Sequence, residues 1–381
     1  MTDVRTQKQS DAPTPSTQAL LERFREAQRQ ATRWLPGALP VAPAARLRHL
    51  ADEAEAAGDD TWDRYGERGP VAKVETQVAE LLGKPAAAMF PSGVMAQQSM
   101  LRVWTDRKGS RRVALPAQSH LLHHEQDGPR LLHRFRYEIL SDGLKVPTVD
   151  DLAKVPGPLG ACLLELPLRD AGYLLPTWDA LSAFAAACRG RDVPLHLDGA
   201  RIWESTPYLQ HSLADVAALA DSVYVSFYKG LGGLAGAVVA GPVDQVDEAR
   251  QWRQRLGGTL VTMLPFAASA LEGVRDQLPR MGEYHERAVE LATALKGAGL
   301  TVFPDPPHAN AFRVHVEENH TTLLERLCAF MERERIAVSP PWQPADVPGW
   351  SWSELTVGPA TLEWSVDEAV ELLLRAVGRT D

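Results

Sequence analysis

The chain is short of the features that mark nucleic-acid-binding and membrane proteins. Over 381 residues it carries 40 Lys and Arg against 49 Asp and Glu, which leaves a formal net charge of -9. Because a phosphate-binding surface needs clustered cations, we expect no nucleic-acid partner. No stretch approaches the ~20 uninterrupted apolar residues of a membrane-spanning helix, so we expect no membrane partner either.

Cysteine is also scarce, since the chain has only Cys162, Cys188 and Cys328. Their spacing forms neither a CxxC pair nor the ligand pattern of a structural metal site, and we predict no metal. The first two lie in apolar or alanine-rich stretches, which is typical of buried thiols, and reduced thiols suit a cytoplasmic protein. Residues 1–18 are polar and lack an apolar segment, so they predict a disordered tail rather than a secretory signal.

Alternating strand and helix patterns predict the fold. The strand candidates in the middle of the chain are residues 113–116, 160–166, 193–197, 223–227 and 237–240. Strands that alternate with helices favour a mostly parallel sheet covered on both faces. Beyond Gly257 and Gly258 the pattern changes to a long helix and then a mixed α+β region. We therefore predict a boundary near Glu272, with the N-terminal segment and a large α/β domain over 19–272 and a smaller α+β domain over 273–381.

Two short segments carry chemistry that such a sheet would present. Asp198-Gly-Ala-Arg201 and Ser226-Phe-Tyr-Lys229-Gly230 each follow a predicted buried strand. In parallel sheets, ligand-binding groups collect beyond the carboxyl ends of the strands. Pyridoxal phosphate requires a lysine that forms a Schiff base with its aldehyde and a carboxylate that pairs with its pyridine nitrogen. We therefore predict a pyridoxal phosphate enzyme in which Lys229 and Asp198 are catalytic.

The glycines after the lysine allow a second interpretation. Gly230-x-Gly232 after a strand could begin a dinucleotide-binding fingerprint, but residues 236–241 have a strand pattern where that motif needs a helix. We reject this interpretation. We expect instead that the glycine-rich backbone lets a cofactor approach closely.

Other positions have both a chemical and a structural interpretation. Ser92-Gly93-Val94 lies between a strand and a predicted helix, where backbone N–H groups bind phosphate, although the serine could simply cap the helix. His120 follows a strand and could stack on a cofactor ring and act as acid or base.

Arginines and further histidines complete the candidates. Arg169 and Arg201 could pair with a substrate carboxylate, the alternative being a surface ion pair, and the position of Arg201 three residues after the predicted acid favours it. A metal site formed by His120, His123 and His124 matches no structural zinc spacing. For the last two, we favour surface histidines on a loop.

Several of these segments occur in the order found in a known family. They are Tyr65-Gly66, Glu75, residues 91–98, His120 with Glu125, residues 198–201 and residues 229–232. Their order and residue identities over roughly residues 59–258 resemble the low-specificity L-threonine aldolase group. This group lies within the β-eliminating-lyase branch of the fold-type-I (aspartate aminotransferase-like) pyridoxal phosphate enzymes. The resemblance implies an α/β large domain with a smaller C-terminal domain. It also implies a homodimer or a homotetramer built as a dimer of dimers, with active sites at the subunit interface.

The resemblance also implies roles for individual residues. Lys229 would form the Schiff base, Asp198 would hold the pyridine nitrogen and His120 would stack on the ring. Arg201 would meet the substrate carboxylate or the phenolic oxygen of the cofactor, and Tyr65 would be an active-site contact. The residues implied around the cofactor phosphate are Ser92, Gly93 and the amide of Val94.

The chain departs from the family pattern mainly on the substrate side. Val94 stands where the family has threonine, and residues 259–262 replace a Gly-Met-Arg-Gln segment. Glu354 stands where the family has the arginine that binds the amino-acid carboxylate. A carboxylate would repel that group, so we expect a changed substrate clamp in which Arg169 compensates.

These observations predict a lyase that cleaves a β-hydroxy-α-amino acid of the threonine type to glycine and an aldehyde. His120, or a water that it orients, would take the β-hydroxyl proton. The changed clamp leaves open a β-elimination or a transaldolase-type reaction on another amino acid. A third alternative is a non-catalytic regulatory protein that binds pyridoxal phosphate.

Overall fold

The computed structural model describes residues 15–56, 58 and 61–379. The helices are α1 (Pro15–Arg29), α2 (Pro43–Ala56), α3 (Gly69–Leu81), α4 (Gly93–Arg107), α5 (His120–His123), α6 (Gly128–His133), α7 (Val149–Ala153), α8 (Trp178–Gly190), α9 (Thr206–Leu209), α10 (Leu213–Ala218), α11 (Val243–Arg255), α12 (Leu264–Asp276), α13 (Met281–Gly297), α14 (His320–Glu334) and α15 (Val366–Val377). The strands are β1 (Arg33–Trp34), β2 (Ala86–Phe90), β3 (Arg112–Leu115), β4 (Arg136–Ile139), β5 (Ala161–Glu165), β6 (Leu195–Gly199), β7 (Ser222–Ser226), β8 (Ala237–Gly241), β9 (Thr301–Phe303), β10 (Ala311–Val316), β11 (Ile336–Ala337), β12 (Gln343–Pro344) and β13 (Ser351–Thr356). Short 3-10 helices at Arg169–Ala171 and Ile202–Glu204 follow β5 and β6.

A seven-stranded sheet with the order β2-β8-β7-β6-β5-β3-β4 forms the centre of the larger part of the chain. The pairs β3–β4, β3–β5, β5–β6 and β6–β7 are parallel, whereas β8 runs antiparallel to both β2 and β7. The mostly parallel sheet predicted from the sequence is therefore confirmed. Every residue of β5, β6, β7 and β8 is buried, as expected of strands covered on both faces.

The remaining strands form smaller sheets near the C-terminus. One has four strands in the order β12-β13-β10-β9, and the other pairs β1 with β11 in parallel. Helix α15 begins with a capping box in which Ser365 and Glu368 satisfy each other's backbone N–H groups. These elements confirm the smaller C-terminal α+β layer.

The structure divides the chain at different positions from those expected. The larger compact unit contains residues 40–289 and 304–312, and the smaller one contains the described residues of 1–39, 290–303 and 313–381. The expected boundary near Glu272 lies inside α12, so the change of pattern before it marks the end of α11 rather than the end of a unit.

The N-terminal segment belongs to the smaller unit rather than to the large domain. It does so because β1 pairs with β11 and α1 packs against α14. Of the predicted disordered tail, residues 1–14 lie outside the described residues, and residues 15–18 form the first turn of α1.

The cysteines and the hydropathy of the helices agree with the sequence analysis. All three cysteines are free and buried, which confirms the prediction of buried thiols. Among the helices that the structure describes, none is both long and apolar enough to cross a membrane.

Candidate active site

A cleft at the carboxyl edge of the large sheet brings most of the predicted residues together. Its volume is about 230 Å³. Its lining residues are Gly93, Val94, Gln97, His120, Glu125, Asp198, Tyr224, Tyr228 and Lys229. The cleft lies at this edge because β5, β6 and β7 are parallel neighbours, so the residues at their carboxyl ends meet there.

Asp198 lies near the carboxyl end of β6 and is buried. Its Oδ1 accepts a hydrogen bond of 3.0 Å from the backbone N–H of Ala200. Its Oδ2 accepts no hydrogen bond from the part of the chain that the structure describes. One oxygen of a buried carboxylate is thus left for a cationic or N–H partner in the cleft.

Lys229 follows β7 in the same cleft. Burial and the nearby charge of Arg201 lower the pKa of its ammonium group, although the carboxylates of Asp198, Glu165 and Glu204 act in the opposite direction. A lowered pKa increases the fraction of neutral amine, which is the nucleophilic form. The site therefore favours a lysine that can attack an aldehyde.

Glycine is required at position 230 for a different reason from the one expected. We expected the glycines after Lys229 to admit a cofactor, but a Cβ on Gly230 would overlap the carboxylate of Glu204. Glu204 lies in the 3-10 helix after β6 and is only 1% exposed, and its Oε1 is the atom that this Cβ would meet first. Burial raises its pKa. The glycine thus lets a buried carboxylate reach the turn that holds the lysine.

Helix α4 begins at the cleft. Ser92 is its N-cap, and the Ser92 hydroxyl accepts a hydrogen bond of 3.3 Å from the N–H of Met95. A Cβ on Gly93 would overlap the hydroxyl group of Tyr224, so only glycine fits there. Gly93 and Val94 line the cleft, whereas Ser92 does not. The first N–H groups of this 15-residue helix face a site where an anion would be stabilised.

His120 is held at two of its atoms. Its ring Nδ1 lies 3.3 Å from Glu125 Oε1, and its backbone N–H donates a 3.0 Å hydrogen bond to Glu165 Oε2. Burial would lower the pKa of the imidazole, but the hydrogen bond to Glu125 and the charge of Asp198 outweigh burial and raise it. The ring is therefore fixed against the cleft with a partner that favours its cationic form.

Glu165 is a site residue that the sequence reasoning missed. It ends β5 directly beside Asp198, and its other oxygen accepts a 3.2 Å hydrogen bond from the N–H of Arg169. Burial and the charge of Asp198 raise its pKa to about 7. The rule that located Asp198 at a strand end could have found Glu165, which occupies the same position on the adjacent strand.

The two candidate arginines both lie near Tyr173 and outside the cleft lining. Arg169 Nε donates to the Tyr173 hydroxyl at 3.4 Å, and its Nη1 lies 3.4 Å from Asp170 Oδ1. The Arg201 guanidinium carbon lies 5.4 Å from the centroid of the Tyr173 ring. The structure thus brings both arginines to one buried tyrosine.

Tyr65 does not line the cleft and is 56% exposed. Its N–H donates to the carbonyl of Val261, which is itself 65% exposed. Asp63 joins the two loops, because its carboxylate accepts hydrogen bonds from the Thr262 hydroxyl at 2.6 Å and the Met263 N–H at 2.9 Å. Glu354, where the family arginine was expected, lies on β13 of the smaller unit.

His123 and His124, which follow His120, have different contact partners. His123 Nε2 lies 2.8 Å from the carbonyl oxygen of Ala117, whereas His124 Nε2 lies 2.5 Å from Asp170 Oδ2. Both are exposed, in agreement with the expectation of surface histidines, but His123 lies in the short helix α5 and His124 is its C-cap, so neither lies on a loop. Within the described residues, no group of three or more His, Cys, Asp or Glu side chains could hold a metal ion.

Comparison with known proteins gives a consistent result. Residues 42–319 match the model of the beta-eliminating lyase family. The low specificity L-threonine aldolase of Escherichia coli K12 is 29% identical over 280 residues, which cover 71% of this chain and 81% of that protein.

Solved structures are similar over most of the chain. A Listeria monocytogenes EGD-E protein, provisionally named an L-allo-threonine aldolase, is 35% identical, with a TM-score of 0.87 over 94% of this chain and 99% of that one. A structure of SPT with PLP is 16% identical, with a TM-score of 0.67 over 88% of this chain and 84% of that one, and indicates a shared fold only.

Proposed function

The chain belongs to the beta-eliminating lyase family and has the fold-type-I architecture, and on that premise we propose that it is a pyridoxal phosphate-dependent aldehyde-lyase. It cleaves a β-hydroxy-α-amino acid of the threonine type to glycine and an aldehyde. The observation that carries this proposal is the shared cleft of Lys229 and Asp198 at the carboxyl edge of the sheet. Lys229 is the one amine among the side chains that line the cleft, and Asp198 has a carboxylate oxygen left for the ring nitrogen of the cofactor.

The cleft residues fit the cofactor. Gly93 lets the Tyr224 hydroxyl pack against the N-terminus of α4, where a phosphate is favoured, and Gly93 and Val94 both line the cleft. Gln97 Nε2 is buried in the same cleft without a hydrogen-bond partner among the described residues, so it is free to donate to a ligand. We assign Ser92, Gly93 and Val94 to the phosphate.

Each remaining residue has a defined task. Lys229 supplies a neutral amine to the aldehyde, and Asp198 presents its second oxygen to the ring nitrogen. His120 would stack on the ring, with Glu125 fixing the orientation of the imidazole. When bound, pyridoxal phosphate supplies the electron sink that stabilises negative charge on the amino-acid Cα.

Substrate recognition falls to the cationic side chains near Tyr173. Arg201 is the candidate for the α-carboxylate, because guanidinium groups pair bidentately with carboxylates. Arg169 is a candidate for the same group, since it contacts the hydroxyl of the same tyrosine. Tyr65 is a candidate contact from a second subunit.

A homodimer or homotetramer is part of the proposal. Exposed apolar side chains lie on the loops and turns and at the start of α4 in the larger unit, and two of them also line the cleft. They are Trp62, Tyr65, Val94, Tyr228, Leu260 and Val261. Light scattering after size exclusion should give a dimer or a tetramer, and a monomer at micromolar concentration would contradict this part of the proposal. We place the protein in the cytoplasm, which its free buried cysteines support.

A spectroscopic and product screen tests the function. The protein reconstituted with pyridoxal phosphate should show the visible absorption band of the Schiff base. It should also release acetaldehyde from threonine or benzaldehyde from phenylserine. Release of a keto acid without aldehyde would indicate β-elimination, and a coloured protein inert to every amino acid would indicate a binding protein. A reconstituted protein without a visible band would overturn the proposal.

A further inference from the structure

His124 contacts a carboxylate in an arrangement that resembles an acid–base couple more than a surface ion pair. Its Nε2 lies 2.5 Å from Asp170 Oδ2, and the His124 side chain is 41% exposed. Asp170 is less exposed and also lies 3.4 Å from Arg169 Nη1, so its carboxylate is fixed from two sides. A carboxylate that holds an imidazole in this way selects its tautomer and its orientation.

The pairing decides which nitrogen of His124 can accept a proton. With Asp170 ionised, Nε2 carries the hydrogen and donates it to the carboxylate, which leaves the lone pair on Nδ1. Nδ1 has no hydrogen-bond partner among the residues that the structure describes. The couple therefore presents one unoccupied basic nitrogen.

The location of this nitrogen connects it to the cleft. The His124 ring centroid lies 4.9 Å from that of His120, with the two ring planes tilted by 40°. Both rings lie on one short turn, in which the His124 N–H donates to the His120 carbonyl oxygen at 2.9 Å. His124 does not itself line the cleft, but its ring lies beside that of His120, which does.

His120 is poorly placed to do all the acid–base work alone. Its Nδ1 is held by Glu125 and its backbone by Glu165. A ring that stacks flat on a cofactor directs its nitrogens along the ring plane rather than toward a substituent above it. The β-hydroxyl of a bound amino acid needs a base outside that stack.

We propose that His124, oriented by Asp170, is the base that accepts the β-hydroxyl proton of the substrate. This inference rests on the proposed aldol cleavage. The O–H proton moves to His124 Nδ1, and the O–H electron pair becomes the second bond of the aldehyde carbonyl. The Cα–Cβ bond breaks, its electron pair stays with the glycine fragment, and that fragment takes up a proton at Cα. Asp170 is a positioning residue that acts through His124.

Two reactions of the reconstituted enzyme separate this role from a structural one. Cleavage of phenylserine needs a base for the β-hydroxyl, whereas exchange of the glycine α-proton with deuterated solvent does not. His124→Gln should reduce kcat for benzaldehyde release by about 100-fold, the lower end of the effect of a general base. It should leave glycine exchange, followed by NMR, within about twofold of the wild type.

The neighbouring His123 provides the matched control. His123→Gln should leave both reactions unchanged, because its ring contacts a backbone carbonyl instead of the carboxylate. Asp170→Asn should reduce cleavage with little effect on exchange, since the amide no longer selects the tautomer of His124.

The outcomes distinguish the inference from the function on which it rests. Wild-type protein that neither cleaves phenylserine nor exchanges glycine would overturn the proposed function itself. An active wild type with an equally active His124→Gln variant would overturn the role of His124. Equal losses of cleavage and exchange in that variant would also overturn it, because they would indicate a structural defect.

Discussion

The two sides of the cleft differ in how their candidate residues are held. The candidates for the cofactor lie on or directly after buried strands and at the start of a long helix, as Asp198, Lys229 and Gly93 show. The candidates for the substrate lie on short turns and exposed loops, as Arg169, His124 and Tyr65 show. The cofactor side is therefore fixed by the sheet, whereas the substrate side depends on loop contacts.

Of the departures expected from the resemblance, only residues 259–262 lie on an exposed loop, whereas Val94 lies in α4 and Glu354 in β13. A residue packed between strands cannot change without affecting its neighbours, because protein interiors are densely packed. A residue on an exposed loop can change at little cost to the fold. Val261 and its neighbours lie on such a loop, so an altered substrate clamp is compatible with an unchanged cofactor site.

Removal of the cleft lysine should have the largest effect. Lys229→Ala should abolish the visible absorption band and lower aldehyde release by at least about 1000-fold, because no other amine can form the covalent bond to the cofactor. Lys154→Ala, on the exposed face of α7, should change neither reading. A variant that retained the band would contradict the assignment of Lys229.

The second largest effect is expected from a methyl group added at the start of α4, which should weaken cofactor binding. Gly93→Ala should raise the dissociation constant for pyridoxal phosphate by about 10- to 100-fold, since overpacking costs about 1–3 kcal/mol. Fluorescence titration measures this constant. Gly282→Ala has open space around it and is the control. Adding Tyr224→Phe to Gly93→Ala should recover part of the affinity, and no recovery would argue against the contact with the tyrosine hydroxyl.

A substitution on the substrate side should change substrate binding without changing cofactor binding. Arg169→Ala should raise KM for the amino acid by about tenfold, as expected for the loss of one charged hydrogen bond of about 1.5 kcal/mol. The absorption band of the cofactor should remain. Steady-state kinetics with phenylserine gives KM, and Arg130→Ala, on exposed helix α6, is the matched control. An unchanged KM would remove Arg169 from the clamp.

The smallest effect should be on the pH dependence of stability. Burial raises the pKa of Glu165 from 4.5 to about 7, so the folded protein holds this proton more tightly than the unfolded chain does. The stabilisation from this group is complete below about pH 4.5 and is lost as the pH rises to about 7. Glu165→Gln removes that loss.

Denaturant titration at two pH values measures this effect. The fall in the free energy of unfolding between pH 5 and pH 7 should be smaller in Glu165→Gln than in the wild type, by about 1–3 kcal/mol. Glu138→Gln, a half-buried carboxylate on the edge strand β4, is the control. Equal slopes in Glu165→Gln and the wild type would show that this carboxyl does not hold a proton in the folded state.

Much of the cofactor side could be predicted because its signals are local. Alternating apolar residues reveal the strands, and the residue after each strand must lie at the same edge of a parallel sheet. Asp198, Lys229 and His120 were found in this way, and the structure brings all three into one cleft. The same rule extends to Glu165, whose preceding strand was predicted correctly.

The contacts across the cleft could not be predicted in the same way. Glu204 reaches Gly230 from a different loop, and Asp170 reaches His124 across 46 positions of sequence. No periodicity links such pairs, because their proximity depends on how two turns close over the sheet. The boundaries of the compact units were missed for the same reason, since β1 pairs with β11 near the other end of the chain.

The sequence by itself determined the sheet, the family and the pair of side chains that suits pyridoxal phosphate. These follow from short-range patterning and from residues at strand ends, both of which are encoded within a few positions. Only the tertiary structure decided which carboxylates surround that pair and which histidine contacts Asp170. Hydrogen bonds between loops depend on distances of about 3 Å between residues far apart in sequence, and only the folded chain brings them together.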